Sequence, residues 1–262
     1  MLRLLPIPSG LFVALCLTSW SAAAQFTEII NSDRPCQANT PYVVGKGVVQ
    51  YQTGLDLLRI KDSPTHTSGQ LYGHVLRYGL TDNWELNAQS DYLKLRITTG
   101  ELTTDVGAWS SVQVGLRRRM WEQKTIRPKS TASVRIHLPV GGALAAEKPV
   151  FDVLTIHQWV LPHQWTLTVN AGWAKSEITA HQWRYVVNAS HPLGKILCLY
   201  LEGYGDYSQN LAQHKWDAGF TIIPHRNIQL DLFGGLARNR GKSEMLISTG
   251  LSWRILPRSR RI

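Results

Sequence analysis

Beyond residue 24 the chain lacks any stretch approaching the roughly 20 consecutive apolar residues that a membrane-spanning helix requires. Cysteine is scarce too: only Cys36 and Cys198 follow the leader, too few for a disulfide framework. No H-E-x-x-H, C-x-x-C or G-x-S-x-G is present, which removes the familiar zinc and serine-hydrolase signatures. His137, His157, His163, His181 and His191 are scattered without a paired serine motif, and Ser190 and His191, being adjacent in a strand, point to opposite faces. No catalytic residue, metal site or cofactor is therefore expected, and the chain is not read as an enzyme.

The opening residues read as a secretory leader. Arg3 is a basic start, Leu11–Leu17 a compact apolar run, and Ser21–Ala24 a small-residue processing site, with cleavage expected after Ala24. Seven strongly apolar residues are too few to cross a ~30 Å hydrocarbon core as a helix. The net charge is +10, concentrated in Arg117-Arg118-Arg119 and in the tail Arg258-Ser259-Arg260-Arg261. A secreted chain seldom meets nucleic acid, so anionic lipid headgroups are the expected counter-charge.

The mean hydropathy of −0.15 suits a soluble protein and a transmembrane β-barrel equally, since lumen and lipid faces alternate along each barrel strand. Alternation is what the chain shows. Val49, Tyr51, Leu55 and Leu57 oppose Gln50, Gln52 and Asp56; Leu197, Leu199 and Leu201 oppose Tyr200, Glu202, Tyr204 and Asp206. The pattern predicts an all-β, antiparallel up-and-down transmembrane β-barrel of about twelve strands, near 46–58, 67–80, 84–97, 107–120, 129–139, 150–161, 164–174, 181–191, 196–207, 213–223, 226–237 and 244–255. Phase is lost within Leu93–Ile97 and Val153–Val160, where bulges or strand ends are expected.

Every other connector is tight, as at Thr81-Asp82-Asn83 and Pro224-His225, whereas Asp62–His66, Thr98–Asp105 and Val140–Pro149 read as longer loops. One short rim holding both termini and one long rim is the layout of an outer-membrane barrel. Trp84, Trp121, Trp159, Trp165 and Trp253 fall at the tight-turn ends, and Trp109, Trp173, Trp183, Tyr207 and Trp216 at the others, as two interfacial girdles.

The polar parity projects inward and nominates the lumen-lining residues Asp56, Arg77, Glu85, Asp91, Arg117, Arg119, Arg135, His137, Arg184, Glu202, Asp206, Asp217, Asp231 and Arg254. They either pair into a network that fills the lumen or line a narrow polar path. Arg117, Arg119 and Arg135 on adjacent strands form an arginine face that would favour anions, unless acids neutralise it. Arg77 and Glu85 read as an ion pair at the base of the Asp82-Asn83 turn. Residues 25–45 precede the barrel at 46–255 and lie in the periplasm, fold back as a plug, or fray; residues 256–262 form a basic tail.

Asp33-Arg34-Pro35, Pro41, Gly45-Lys46-Gly47 and Leu76-Arg77-Tyr78-Gly79-Leu80-Thr81-Asp82-Asn83-Trp84-Glu85-Leu86, followed by Leu138-Pro139-Val140-Gly141, Glu202-Gly203-Tyr204-Gly205 and Gly250-Leu251-Ser252-Trp253-Arg254, resemble the meta-pathway phenol-degradation family of outer-membrane barrels over about residues 31–255. The three consecutive arginines and the residues past Ile255 depart from that pattern. The resemblance implies an outer-membrane location, assembly by the barrel-assembly machinery, and passive passage of small hydrophobic or aromatic compounds without a cofactor. A sealed structural or binding barrel is the alternative, and a lipid-modifying enzyme the third reading.

Overall fold

A computed structural model of the chain describes residues 27–34, 36–175, 181–208, 211–239 and 242–258. The leader, its cleavage site and residues 259–262 of the tail lie outside them.

Twelve strands close in sequence order into one antiparallel barrel. They are β1 (Val49–Asp62), β2 (Thr65–Gly79), β3 (Trp84–Thr99), β4 (Leu102–Trp121), β5 (Lys129–His137), β6 (Val150–Val160), β7 (Thr166–Ala174), β8 (Gln182–Leu193), β9 (Leu197–Ser208), β10 (Leu211–His225), β11 (Ile228–Asn239) and β12 (Lys242–Ile255). β1 pairs with β12 from Val49↔Ile255 to Lys61↔Ser243, so no edge is left to template further pairing.

Alternation sorts the two faces. Outward residues such as Leu76, Leu201, Trp216 and Trp253 are half exposed, while Gln50, Arg77, Glu85, Glu202 and Ser252 are buried. A soluble β-protein would put the apolar set inside; here the polar set is inside, which requires lipid on the outer face.

The structure corrects two expectations. Asp62–His66 and Thr98–Asp105 are not loops: β1–β2 turn at Ser63–Pro64 and β3–β4 at Gly100–Glu101, so these four strands stand taller than β5–β9. Among the described residues the long connector of that rim is 138–149. Nor is phase lost at Val153–Val160, where β6 keeps unbroken register with both neighbours. Only its central inward positions are apolar, with Leu154 and Ile156 buried between Asp152 and Gln158. Polypeptide explains this: the cross-strand neighbours of Ile156, Thr131 and Asn170, bond to Pro41 and Asn39, so Ile156 meets chain rather than water. In β3 a register shift against β4 does fall at Asp91/Tyr92, just before Leu93–Ile97.

Candidate channel lumen

Residues 27–34 and 36–48 run inside the short-turn end of the barrel and are bonded to its wall around most of its circumference. Arg254 on β12 donates to the carbonyls of Thr27 and Glu28. Ser32 Oγ meets Ser252 Oγ at 2.7 Å. The Glu202 carboxylate on β9 accepts the successive backbone N–H groups of Gln37 and Ala38 at 2.7 and 3.0 Å, and Asn188 adds a third donor. Asn39 and Asn170 exchange two bonds, and Thr131 donates to Pro41. Extended backbone inside a lumen has no sheet partner, so inward side chains must satisfy its N–H and C=O groups. That is what the wall supplies.

Two ion-pair centres anchor the segment. Asp33 accepts from Arg117 at 2.6 Å and faces Arg77 at 3.4 Å. Arg77 also holds Glu85 through two 2.8 Å bonds, and Glu85 receives the Val44 N–H. Burial alone raises the Asp33 carboxyl, but the Arg117 and Arg77 guanidiniums outweigh it and hold the group below its ordinary value. At the second centre Arg34 bonds to Asp231 at 3.1 Å and to Ser248 at 2.9 Å. Its guanidinium lies over Gly54 and Gly250, which face each other across the β1–β12 seam. A Cβ at either glycine would overlap it. The absent side chains are the slot.

The predicted inward residues thus separate into groups. Arg77, Glu85 and Arg117 gather around Asp33, while Glu202, Asp231 and Arg254 hold other parts of the segment. Arg135 and Arg184 converge on Asp152, the former at 3.0 Å, with His137 3.8 Å away. Asp56 accepts from Ser248 at 2.5 Å, and Asp91 from Gln89. Asp206 is the cross-strand neighbour of Arg184. Asp217 is buried beside Glu202, and among the described residues neither of its oxygens has a hydrogen-bond partner.

The arginine face does not form. Arg117 is turned to Asp33 and Glu85, Arg119 to Asn83 and Glu122 at the rim, and Arg135 to Asp152, so each is matched separately. The expected Arg77–Glu85 ion pair forms, and it is fully enclosed. Sequence reasoning missed Asp33 and Arg34 as lumen residues and Asp152 as the shared partner of two arginines. Asp33-Arg34-Pro35 stood out only as a signature, and alternation says nothing about a segment that is not a strand. Asp152 sits on β6, where Leu154 and Ile156 share its inward face and so hide the polar parity.

Above this segment a cavity of about 700 Å3 remains. Its floor includes Asp33, Arg34 and Asn39; the β1–β3 wall mixes Leu58, Leu71, Val75 and Leu93 with Asp56 and Asp91, and the far wall carries Arg135, Arg184, Asp206 and Lys215. One Ser–His contact occurs, Ser130 Oγ to His157 Nδ1 at 2.8 Å, but the serine is 1% exposed. No carboxylate among the described residues orients that imidazole, so the pair lacks both access and the third member of a triad.

Several solved barrels share the architecture. The COG4313 outer membrane channel from Pseudomonas putida F1 superimposes with a TM-score of 0.63 at 11% identity, covering 82% of this chain and 97% of that one. The translocator domain of the autotransporter NalP from Neisseria meningitidis gives 0.52 at 11% identity, covering 80% and 89%. The NanC porin gives 0.51 at 8% identity, covering 78% and 100%. At such identities the likeness is one of fold. A comparison with curated protein sequences finds no match. The model of the family described as "Putative MetA-pathway of phenol degradation" matches residues 32–255, nearly all of the barrel and its internal segment, and the chain belongs to that family of outer-membrane β-barrels.

Proposed function

We propose that this barrel is a passive channel for small aromatic or other largely apolar molecules, with its short-turn rim and both termini toward the periplasm and residues 27–48 as a plug at that end. The observation that carries the reading is the cavity of about 700 Å3 directly above the plug, in which leucines and valines alternate with charged side chains. Such a mixed lining suits a ring or short apolar body bearing a polar group. A purely polar lumen would favour sugars or ions, and a filled one would favour a structural barrel. The P. putida F1 barrel, an outer membrane channel, supports the reading. Passage is passive and non-catalytic, and requires the plug to shift.

Permeation through the purified, refolded protein in liposomes tests this, following a small ion and a simple aromatic compound in parallel. Uptake of the aromatic above empty liposomes, increased by Arg34→Ala, is the expected result. Background uptake by both forms of a correctly folded barrel would reject the channel in favour of the sealed barrel.

A further inference from the structure

The tall β1–β4 wall changes polarity along its height. Near mid-barrel its outward side chains include Tyr51, Leu76 and Val114, and the row between them and the rings holds Thr53, His74 and Ser90. An outward cross-strand row then runs Leu55–Tyr72–Tyr92–Trp109. Tyr92 and Trp109 meet edge to face at 5.4 Å. The Tyr72 hydroxyl donates to Gln70, and that of Tyr92 lies beside Gly107, so both hydroxyls point to the far rim. Amphipathic rings aimed this way mark the edge of the hydrocarbon layer.

The next outward rows are basic. Lys94 stands in the row Leu57–Gln70–Lys94–Gly107, with its ammonium 5.7 Å from the Tyr72 ring. Arg59 and Arg96 share the row above, and Lys61 lies in the row above that. All four are exposed. Arg96 pairs with Asp105 at 2.8 Å, whereas among the described residues Arg59, Lys61 and Lys94 have no carboxylate partner. The remaining acids of this wall are Asp56, Glu85 and Asp91, which face inward, and Asp62 and Glu101, which stand at the hairpin ends, furthest from the aromatic row. On the same rows the inward residues are apolar (Leu58, Ile60, Leu93 and Leu95), so the cations have no partner through the wall. Strand spacing of ~4.8 Å and a rise of ~3.3 Å per residue place the backbone of Arg59 about 7 Å from Lys61 and about 12 Å from Lys94, with Lys61 and Lys94 about 16 Å apart.

From this arrangement we propose that the outward face of β1–β3 binds the phosphorylated headgroup of an outer-leaflet glycolipid. Its two sugar phosphates sit against Arg59, Lys61 and Lys94, and its acyl chains lie below the Tyr72–Tyr92–Trp109 row. A diphosphorylated headgroup matches several unpaired cations in a small patch, whereas a single glycerophosphate would leave most of them unmatched. The assignment rests on the orientation given above, in which the far rim faces outward.

The test is lipid retention on the purified full-length barrel in detergent, read by native mass spectrometry with diphosphoryl lipid A, monophosphoryl lipid A and phosphatidylglycerol. Each basic side chain near an anionic surface is worth about fivefold in binding. The triple variant Arg59→Gln/Lys61→Gln/Lys94→Gln is therefore expected to bind diphosphoryl lipid A at least tenfold more weakly. Lys195→Gln on the opposite rim should bind normally. Wild-type retention should follow the number of phosphates. Unchanged binding by the triple variant, or equal retention of phosphatidylglycerol, overturns the proposal; heat-modifiable gel mobility confirms folding, and Lys94→Gln alone serves if the triple variant does not fold. Orientation is read separately, by biotinylation of Lys61 in intact cells, so its failure is distinguishable from failure of the lipid site.

Discussion

Gly54 and Gly250 are cross-strand partners at the seam that closes the barrel, and the space their missing side chains leave is taken by the guanidinium of Arg34. Asp231, the neighbour of Gly250 on β11, completes the seat with its carboxylate. A cation, a slot and a counter-ion come from four separated stretches of chain, and together they pin the internal segment to the wall.

Arg34→Ala should empty this slot and leave Asp231 buried without its cation. Breaking a buried pair in this way costs about 3 kcal/mol. The urea midpoint of the refolded barrel should fall accordingly. Gly250→Ala, which leaves both charges present but blocks the slot, should expel the segment by steric overlap alone. Liposome flux rising in both variants would mark the segment as a plug; unchanged flux in both would show that it is not the barrier.

Acid should loosen the same segment through Asp33. Its carboxyl is held below the usual value of about 3.9 by Arg117 and Arg77 against the opposing effect of burial. A depressed folded value contributes stability that is complete above the unfolded value and is lost as the pH falls through the folded one. Protease protection of residues 27–48 should therefore hold from pH 8 to about 5 and fail only below about 4. Asp33→Asn should weaken protection at neutral pH and abolish this acid dependence.

Cys36 offers a direct readout. Burial, then the nearby Glu202 and Asp217 carboxylates, push its thiol well above the ordinary value, so little thiolate exists at neutral pH. In a Cys198→Ser background, maleimide labelling of Cys36 should be about 100-fold slower than that of a free thiol, and faster once Arg34→Ala releases the segment. Rapid labelling of the parent would place Cys36 outside the lumen.

Asp217 is buried, and among the described residues its carboxylate has no hydrogen-bond partner. Replacing a buried carboxyl that has no partner removes the cost of desolvating or neutralising it, so Asp217→Asn should stabilise the barrel by about 1–3 kcal/mol. Glu85→Gln should do the opposite by about 3 kcal/mol, because it strips Arg77 of its enclosed partner. Urea unfolding of the two variants side by side checks the opposite signs.

The sequence by itself determined the barrel, because a period of two with polar residues on one parity is a local property that each strand states for itself. It placed the strand count, the tight turns after Gly79 and Val160, and the parity of Arg77, Glu85, Glu202 and Arg254, while the turn expected at Pro224-His225 falls at Arg226-Asn227. It could not foretell that Ser63–Pro64 and Gly100–Glu101 are hairpin ends, since polar residues extend a strand beyond the membrane as readily as they form a loop. Only the tertiary structure decided what fills the lumen. Whether Arg117 faces a neighbouring arginine or Asp33, and whether Ile156 faces water or Pro41, depends on an unpaired segment crossing the inside of a closed sheet. Alternation carries no record of that crossing. The same closure brings Arg34 to Gly250 and Asp231, residues about 200 positions away, through contacts that exist only when the barrel is shut.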